Sequence, residues 1–198
     1  MKPLLDWKTG EIVAAFNEVS LWTAPFARLL LENIPMKPAY QVLDVGFGTG
    51  FPLLELSQRF DEQSLIYGMD IWEEAITYTQ RKATLFDLQN IQFIQQSAES
   101  IPLENKSIDL VCSNLGINNF SNRIEVFREI RRILKPEGDL CITTNPNGTF
   151  QELKSVFQKV LEERHNFDPS GHYSRPDVTK LTLNKKRQSV IEIINSNK

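Results

Sequence analysis

The stretch Gln41-Val42-Leu43-Asp44-Val45-Gly46-Phe47-Gly48-Thr49-Gly50-Phe51-Pro52 decides the fold. Gln41 to Val45 is a short apolar run of strand length, interrupted only by Asp44. It ends in a turn with glycine at every second position. Glycine takes positive φ at little steric cost and lets a ligand approach the backbone closely. Pro52 then sits near the first position of a helix expected over 52–60. A strand, a glycine turn and a helix are how a nucleotide-binding α/β sheet opens, and a mere tight turn is the other reading of the glycines alone. The spacing here is G-x-G-x-G. A dinucleotide fingerprint wants G-x-G-x-x-G, and Phe51 stands at its last glycine, where the ring would crowd helix against strand.

Working outward, short apolar runs alternate with longer amphipathic ones. Strands are expected at Ser64–Met69, Ile91–Gln95, Ile108–Ser113 and Asp139–Thr144, and helices over 73–87 and 122–134. The second of these helices carries Ile124, Phe127, Ile130, Ile133 and Leu134 on one face, and Lys135-Pro136-Glu137-Gly138 stops it. Thr149 followed by Glu152 is a capping box opening a helix to about Arg164. Upstream, 11–33 reads as one or two helices, with Thr23 before Pro25 as a start. Strands separated by helices predict an α/β, Rossmann-like doubly wound sheet, mainly parallel, with helices on both faces. Ligands in such sheets bind beyond the strands' carboxyl ends, so the turns after residues 45, 69, 96, 113 and 144 surround one crevice.

The chain reads as a single domain, 1–198. It comprises an N-terminal helical cap (1–38), a cofactor-binding core (39–146) and C-terminal helices (147–198). Five strands are used by Thr144, 175–189 reads as a helix, and only Val190-Ile191-Glu192-Ile193-Ile194 remains as a strand candidate. The C-terminal hairpin is therefore expected to be incomplete. A bare fifth-strand edge would pair with a second copy, giving a homodimer, or be covered by residues 175–198.

Composition narrows the function. The 198 residues are 41% hydrophobic and 24% charged, as in an ordinary globular domain. A formal net charge of -3 gives no general attraction to nucleic acid. No apolar run approaches the roughly 18 residues of a membrane span, and Met1 to Trp7 lacks a signal-peptide core, so a cytoplasmic protein is expected. Cys112 and Cys141 sit in strand-like runs and read as small buried hydrophobes. Two histidines and two cysteines without ligand spacing predict no metal site.

Two further elements extend the glycine turn. Asp70 lies at the end of the second strand, twenty residues past Gly50 (70 minus 50), where a carboxylate can accept both ribose hydroxyls. Ser97-Ala98-Glu99 follows the third strand, where a backbone N–H and a side-chain acceptor can read an adenine edge.

These residues make the sequence resemble the class I S-adenosylmethionine-dependent methyltransferases. The matching stretches are Val42 to Gly50, Gly68-Met69-Asp70, Ser97-Ala98-Glu99-Ser100-Ile101-Pro102-Leu103, Ser107 to Val111, and Arg132-Ile133-Leu134-Lys135-Pro136-Glu137-Gly138. The resemblance implies S-adenosylmethionine as cofactor. It implies that Gly46, Gly48 and Gly50 face the cofactor's methionine and ribose, and that Asp44 orients the methionine end. Asp70 would hold the ribose hydroxyls, with Ile71 beside it in the site. Ala98 would offer its N–H to the adenine. Ser97 stands where an acidic residue is usual, and Glu99 is the substitute. Asn114 and Leu115 follow the fourth strand, where backbone groups meet the cofactor's amino group.

The acceptor is less legible. Ser113-Asn114-Leu115-Gly116-Ile117-Asn118-Asn119-Phe120 lacks the paired prolines of the adenine and cytosine N-methyltransferases, which disfavours a flipped base. Gly116-Ile117-Asn118-Asn119 is similar to the Gly-Leu-Arg-Asn stretch of the ubiquinone/menaquinone-biosynthesis C-methyltransferases, without its arginine. A small-molecule acceptor is expected, with Phe16, Leu21, Trp22 and Phe26 as candidates for an apolar pocket. His172 and Tyr173 are candidates for a general base, and no catalytic residue is assigned. Two alternatives stand beside this reading. One is a degenerate cofactor-binding or partner-binding module without turnover. The other is an NAD-dependent oxidoreductase, against which Phe51 and the adenine turn argue.

Overall fold

A computed structural model of the protein describes residues 10–18, 23–145, 151, 155 and 191–195. Met1–Thr144 with Ile191–Lys198 forms one compact unit and Asn145–Val190 a second. In the second, Gln151 and Ser155 are helical, and the Ser155 hydroxyl donates to the Gln151 carbonyl at 2.8 Å. The rest of the helix expected to follow Thr149, the helix expected over 175–189, His172 and Tyr173 lie outside the described residues.

The first unit begins with α1 (Gly10–Glu18) and α2 (Ala24–Asn33). It continues through β1 (Gln41–Val45), α3 (Leu53–Arg59), β2 (Leu65–Asp70), α4 (Glu73–Leu85), β3 (Ile91–Gln95), β4 (Ile108–Asn114), α5 (Arg123–Ile133), β5 (Leu134–Thr143) and β6 (Ile191–Asn195). The strands form one sheet in the order β3-β2-β1-β4-β5-β6. The first five are mutually parallel, and β6 runs antiparallel to β5. Chain order reverses its direction of travel between β1 and β4, so the carboxyl ends of those two strands frame the switch-point crevice.

Alternation along each strand builds two cores. Val42, Leu110, Cys112 and Cys141 face Leu30 and Leu31 of α2 and Leu53 and Leu56 of α3. Leu43, Val45, Val111 and Leu140 face Val126, Ile130 and Ile133 of α5. Central strands buried on both faces read as continuous apolar runs, which is why their positions were legible.

Two local expectations are corrected. The buried face of α5 is Val126, Ile130 and Ile133, spaced i, i+4, i+7, whereas Ile124 is 68% exposed. Asn122 caps the helix, its side chain accepting from the Glu125 amide at 3.2 Å, and this start turns Ile124 to solvent in the first turn. The helix ends at Ile133, as the stop at Lys135–Gly138 leads one to expect, but the strand expected from Asp139 begins at Leu134, so that stretch lies inside β5. The strand pairs Leu134 with Ile108 and then Asp139 with Leu110, so β4 advances two residues while β5 advances five. The extra residues bulge out between the two pairs.

Among the described residues one antiparallel strand, β6, follows β5. Along Asp139–Thr143 the outer side of β5 is thus paired with residues of this chain. No helix among the described residues is long and apolar enough to cross a membrane.

Candidate functional site

The glycine turn leaves β1 under tight backbone control. The Gly46 amide donates to the Met69 carbonyl at 2.7 Å, closing the turn onto β2. Gly46, Gly48 and Gly50 have φ of 75°, 56° and 99°, a region where side chains are strained. Gly46 lies against Gly116, whose Cα would be 3.2 Å from an added Cβ. A Cβ on Gly50 would stand 2.7 Å from Thr79 Cγ2 of α4 and 3.1 Å from Leu54 Cδ1. Gly50 therefore serves the packing of α4 against the loop.

Asp70 closes the loop from the β2 side. Its Oδ2 accepts from the Gly48 amide at 2.8 Å and its Oδ1 from the Trp72 amide at 2.9 Å. Each oxygen retains a further lone pair, which is what a vicinal diol requires. Ile71 beside it is 71% exposed, an apolar surface at the cavity edge.

The segment after β3 is held from α5. Glu129 Oε2 accepts from the Ile101 amide at 2.8 Å. Arg132 pairs with Glu129 and donates to the carbonyls of Ile101 at 2.7 Å and Leu103 at 2.8 Å. Glu99 Oε1 accepts from the Asn122 amide at 2.8 Å, and Ser97 donates to Glu99 Oε2 at 3.2 Å. The Ser97–Glu99 turn is thereby fixed to the start of α5.

On the opposite wall, Leu115 takes left-handed backbone angles, φ 62° and ψ −3°, before a 3-10 turn at Gly116–Asn119. Such a conformation in a branched residue costs on the order of 1–3 kcal/mol and persists only where neighbours enforce it. Thr143 enforces it here. Its hydroxyl accepts from the Leu115 amide at 3.1 Å and donates to Asn114 Oδ1 at 2.6 Å, and its carbonyl also accepts from the Leu115 amide at 3.1 Å.

These segments enclose a cavity of about 390 Å³, within the usual range of small-ligand sites. Its walls include Gly46, Gly48, Asp70, Ile71, Ser97, Ala98, Glu99 and Asn114. Eight of the ten residues expected for the cofactor thus meet there, and Asp44 and Gly50 do not reach the wall. Phe16, Phe51, Trp72 and Phe120 add aromatic surface, with Phe16 and Trp72 edge-to-face at 5.6 Å. Of the apolar candidates, Phe16 and not Phe26 lines the cavity, while Leu21 and Trp22 lie outside the described residues. The holding contacts of Thr143, Arg132 and Glu129 were not legible in the sequence. The i, i+3 spacing of Glu129 and Arg132 was the one available signal, and it normally marks a solvated helix pair.

The electrostatics are one-sided. The titratable groups in the described wall are Asp70 and Glu99, with no lysine or arginine among them. Asp44 lies wholly buried behind the loop, and neither of its oxygens accepts from an N–H or O–H donor, the Cys112 thiol being its one weak neighbour. Burial raises its pKa from 3.8 to about 8, the charge of Asp70 adds to the rise, and the weakly donating Cys112 thiol offsets only part. Burial likewise pushes the Cys112 thiol well up. Among the described residues no cluster of three or more histidine, cysteine or carboxylate groups could hold a metal.

The residues present fit S-adenosylmethionine. A buried carboxylate without an N–H or O–H donor and an anionic wall suit a ligand carrying an ammonium and a sulfonium. The spare lone pairs of Asp70 suit a ribose diol, and Ile71 with the Ala98 amide suits a flat base.

Comparison with known proteins places the chain among methyltransferase domains. A family model described as a methyltransferase domain matches residues 36–192. The malonyl-[acyl-carrier protein] O-methyltransferase of Marinomonas sp. (strain MWYL1) is 29% identical over 146 residues, 72% of this chain and 53% of that protein. The demethylmenaquinone methyltransferase of Listeria monocytogenes serotype 4a (strain HCC23) is 32% identical over 124 residues, 61% of this chain and 52% of that protein. The chain spans about half the length of these curated relatives. Among solved structures, a SAM dependent methyltransferase from Aquifex aeolicus matches with a TM-score of 0.62 and 25% identity, over 70% of this chain and 73% of that one.

Proposed function

Because this chain belongs to the methyltransferase domain family, we propose that it binds S-adenosylmethionine in the switch-point cavity and transfers the methyl group to a small-molecule acceptor, in the cytoplasm. The observation that carries this reading is the pair of carboxylates at the β1 and β2 ends. Asp44 is buried without an N–H or O–H donor, and Asp70 is fixed by two amides with lone pairs to spare. A ligand-borne cation complements Asp44 and a diol complements Asp70, whereas the diphosphate of a dinucleotide would meet Asp70 and Glu99 with no described cation in the wall.

The cofactor supplies an electrophilic methyl on sulfur, and the protein's task is placement. In this reading Gly46 and Gly48 let the methionine end lie against backbone, Asp70 holds the ribose, and the Ala98 amide with Ile71 receives the adenine. Asp44 draws the ammonium toward β1. Asn114 and Leu115, locked by Thr143, would meet the cofactor's amino group through their backbone. Holding acceptor and methyl in line can lower the barrier by about 7–11 kcal/mol without a catalytic base. The aromatic surface of Phe16, Trp72 and Phe120 and the cation-free wall favour an uncharged, flat acceptor over a carboxylate. In those terms the demethylmenaquinone methyltransferases are the better guide to acceptor chemistry than the malonyl-thioester enzyme.

The test is turnover with methyl-labelled S-adenosylmethionine against reduced naphthoquinones and malonyl thioesters. Label is expected in a naphthoquinol product. Binding of cofactor with no product from any acceptor would support a cofactor-binding module instead.

A further inference from the structure

The outer side of the glycine loop is held by two groups one helical turn apart on α4. Thr79 Oγ1 donates to the Gly48 carbonyl at 3.2 Å, and Lys82 Nζ donates to the Thr49 carbonyl at 3.2 Å. With these carbonyls drawn onto α4, the Gly48 amide is left to Asp70 on the cavity side. The Lys82 ammonium also reaches a third element. It donates to Asn17 Oδ1 of α1 at 3.2 Å. Asn17 follows Phe16, whose ring lines the cavity and meets Trp72 edge-on.

α1 has little else among its described side chains to fix it. It is nine residues long, and of those side chains Val13 alone is buried. A helix this short is marginal without tertiary contacts. A lysine suits the junction because its ammonium carries several donors on a long stem, so one group can satisfy two acceptors on different elements. The Tyr78 ring, 5.5 Å from Nζ, adds a cation–π contact.

We propose that Lys82 is a positioning residue that latches α1 to the glycine loop, coupling the seat of Phe16 over the cavity to the shape of the cofactor loop. Its consequence for ligand affinity rests on the proposed cofactor site, whereas the latch itself does not. Lys82 is half-buried, and that burial lowers its pKa below the ordinary lysine value.

The test compares the parent with Lys82→Met, Lys82→Arg, Asn17→Ala and the Lys82→Met/Asn17→Ala double variant. Amide hydrogen exchange is read in ligand-free protein over residues 10–18 and 46–51, and S-adenosylhomocysteine is titrated into each. Lys82→Met is expected to speed exchange in both segments and weaken binding by about threefold to tenfold. Asn17→Ala is expected to speed exchange in α1. The double variant should be no worse than Lys82→Met, because both remove one interaction. Lys82→Arg should restore protection. Parent-like α1 exchange in Lys82→Met, or fully additive effects in the double variant, overturns the latch. If the parent binds no S-adenosylhomocysteine, the cofactor reading fails, and the ligand-free exchange still decides the latch.

Discussion

Replacing Asp44 with asparagine is expected to flatten the pH dependence of folding stability. The carboxyl is fully buried, its oxygens accept from no N–H or O–H donor, and its pKa is raised from 3.8 to about 8. In the unfolded chain it ionises near its ordinary value. Between the two pKa values the folded protein holds a proton that the unfolded chain has lost. Stability from this group is therefore fully present below about pH 4, falls as pH rises, and levels off above about pH 8. Each unit of difference is about 1.36 kcal/mol, so a span of about four units amounts to on the order of 5 kcal/mol. That is a large share of a domain's usual stability of about 5–15 kcal/mol. Asparagine cannot ionise, so the variant lacks this slope and gains on the parent as pH rises. The assay is urea unfolding of both proteins across that range, plotting the difference in unfolding free energy against pH. A difference that stays level from pH 5 to pH 9 would refute the assignment of a buried Asp44 without an N–H or O–H donor. A cation bound in the proposed site would favour the charged form of Asp44 behind the loop, so S-adenosylhomocysteine binding near pH 6.5 should release protons from the parent. That release appears as a heat that depends on the buffer's ionisation enthalpy, and it should be reduced in Asp44→Asn.

Other perturbations separate the loop's roles. Gly50→Ala places a Cβ 2.7 Å from Thr79 Cγ2 at φ 99°, and is expected to cost roughly 2–4 kcal/mol in thermal or chemical unfolding. Gly48→Ala meets nothing nearer than Phe16 Cε1 at 4.0 Å, so it should cost less stability than Gly50→Ala while weakening ligand binding more. Arg132→Met removes the donors to Ile101 and Leu103, and should cost about 1–3 kcal/mol and raise amide exchange over 97–107.

The sheet was legible because its central strands are buried on both faces, so Leu110 to Cys112 read as an unbroken apolar run and Val42 to Val45 as one broken only by Asp44. The glycine turn and Asp70 were legible because backbone conformation and strand-end position fix the residue types they admit. The α5 face was misread by its first turn, since Ile124 fits the apolar period but the cap at Asn122 turns it outward. The start of β5 was misread because Pro136 and Gly138 carry the signature of a stop, while the pairing with β4 absorbs them in a bulge. Gly50 was assigned to ligand because glycine signals a close approach without saying to what, and its close neighbour is Thr79. Thr143, Arg132 and Lys82 were invisible for a common reason. Their partners lie roughly 30 or more residues away in the sequence, and no local period encodes such a contact.

The central claim is that the cavity at the ends of β1, β2 and β4 receives S-adenosylmethionine through Asp70. Calorimetric titration of S-adenosylhomocysteine into the parent and into Asp70→Ala tests it most directly, with NAD as the control ligand. The account predicts one-to-one binding to the parent, no heat with NAD, and an affinity lower in a folded Asp70→Ala by about tenfold to a hundredfold, the loss of roughly 1.5–3 kcal/mol in charged hydrogen bonds. At a hundredfold excess over its dissociation constant the ligand should stabilise the parent by about 2.7 kcal/mol. Binding of NAD in its place, or equal affinity in parent and variant, would contradict it.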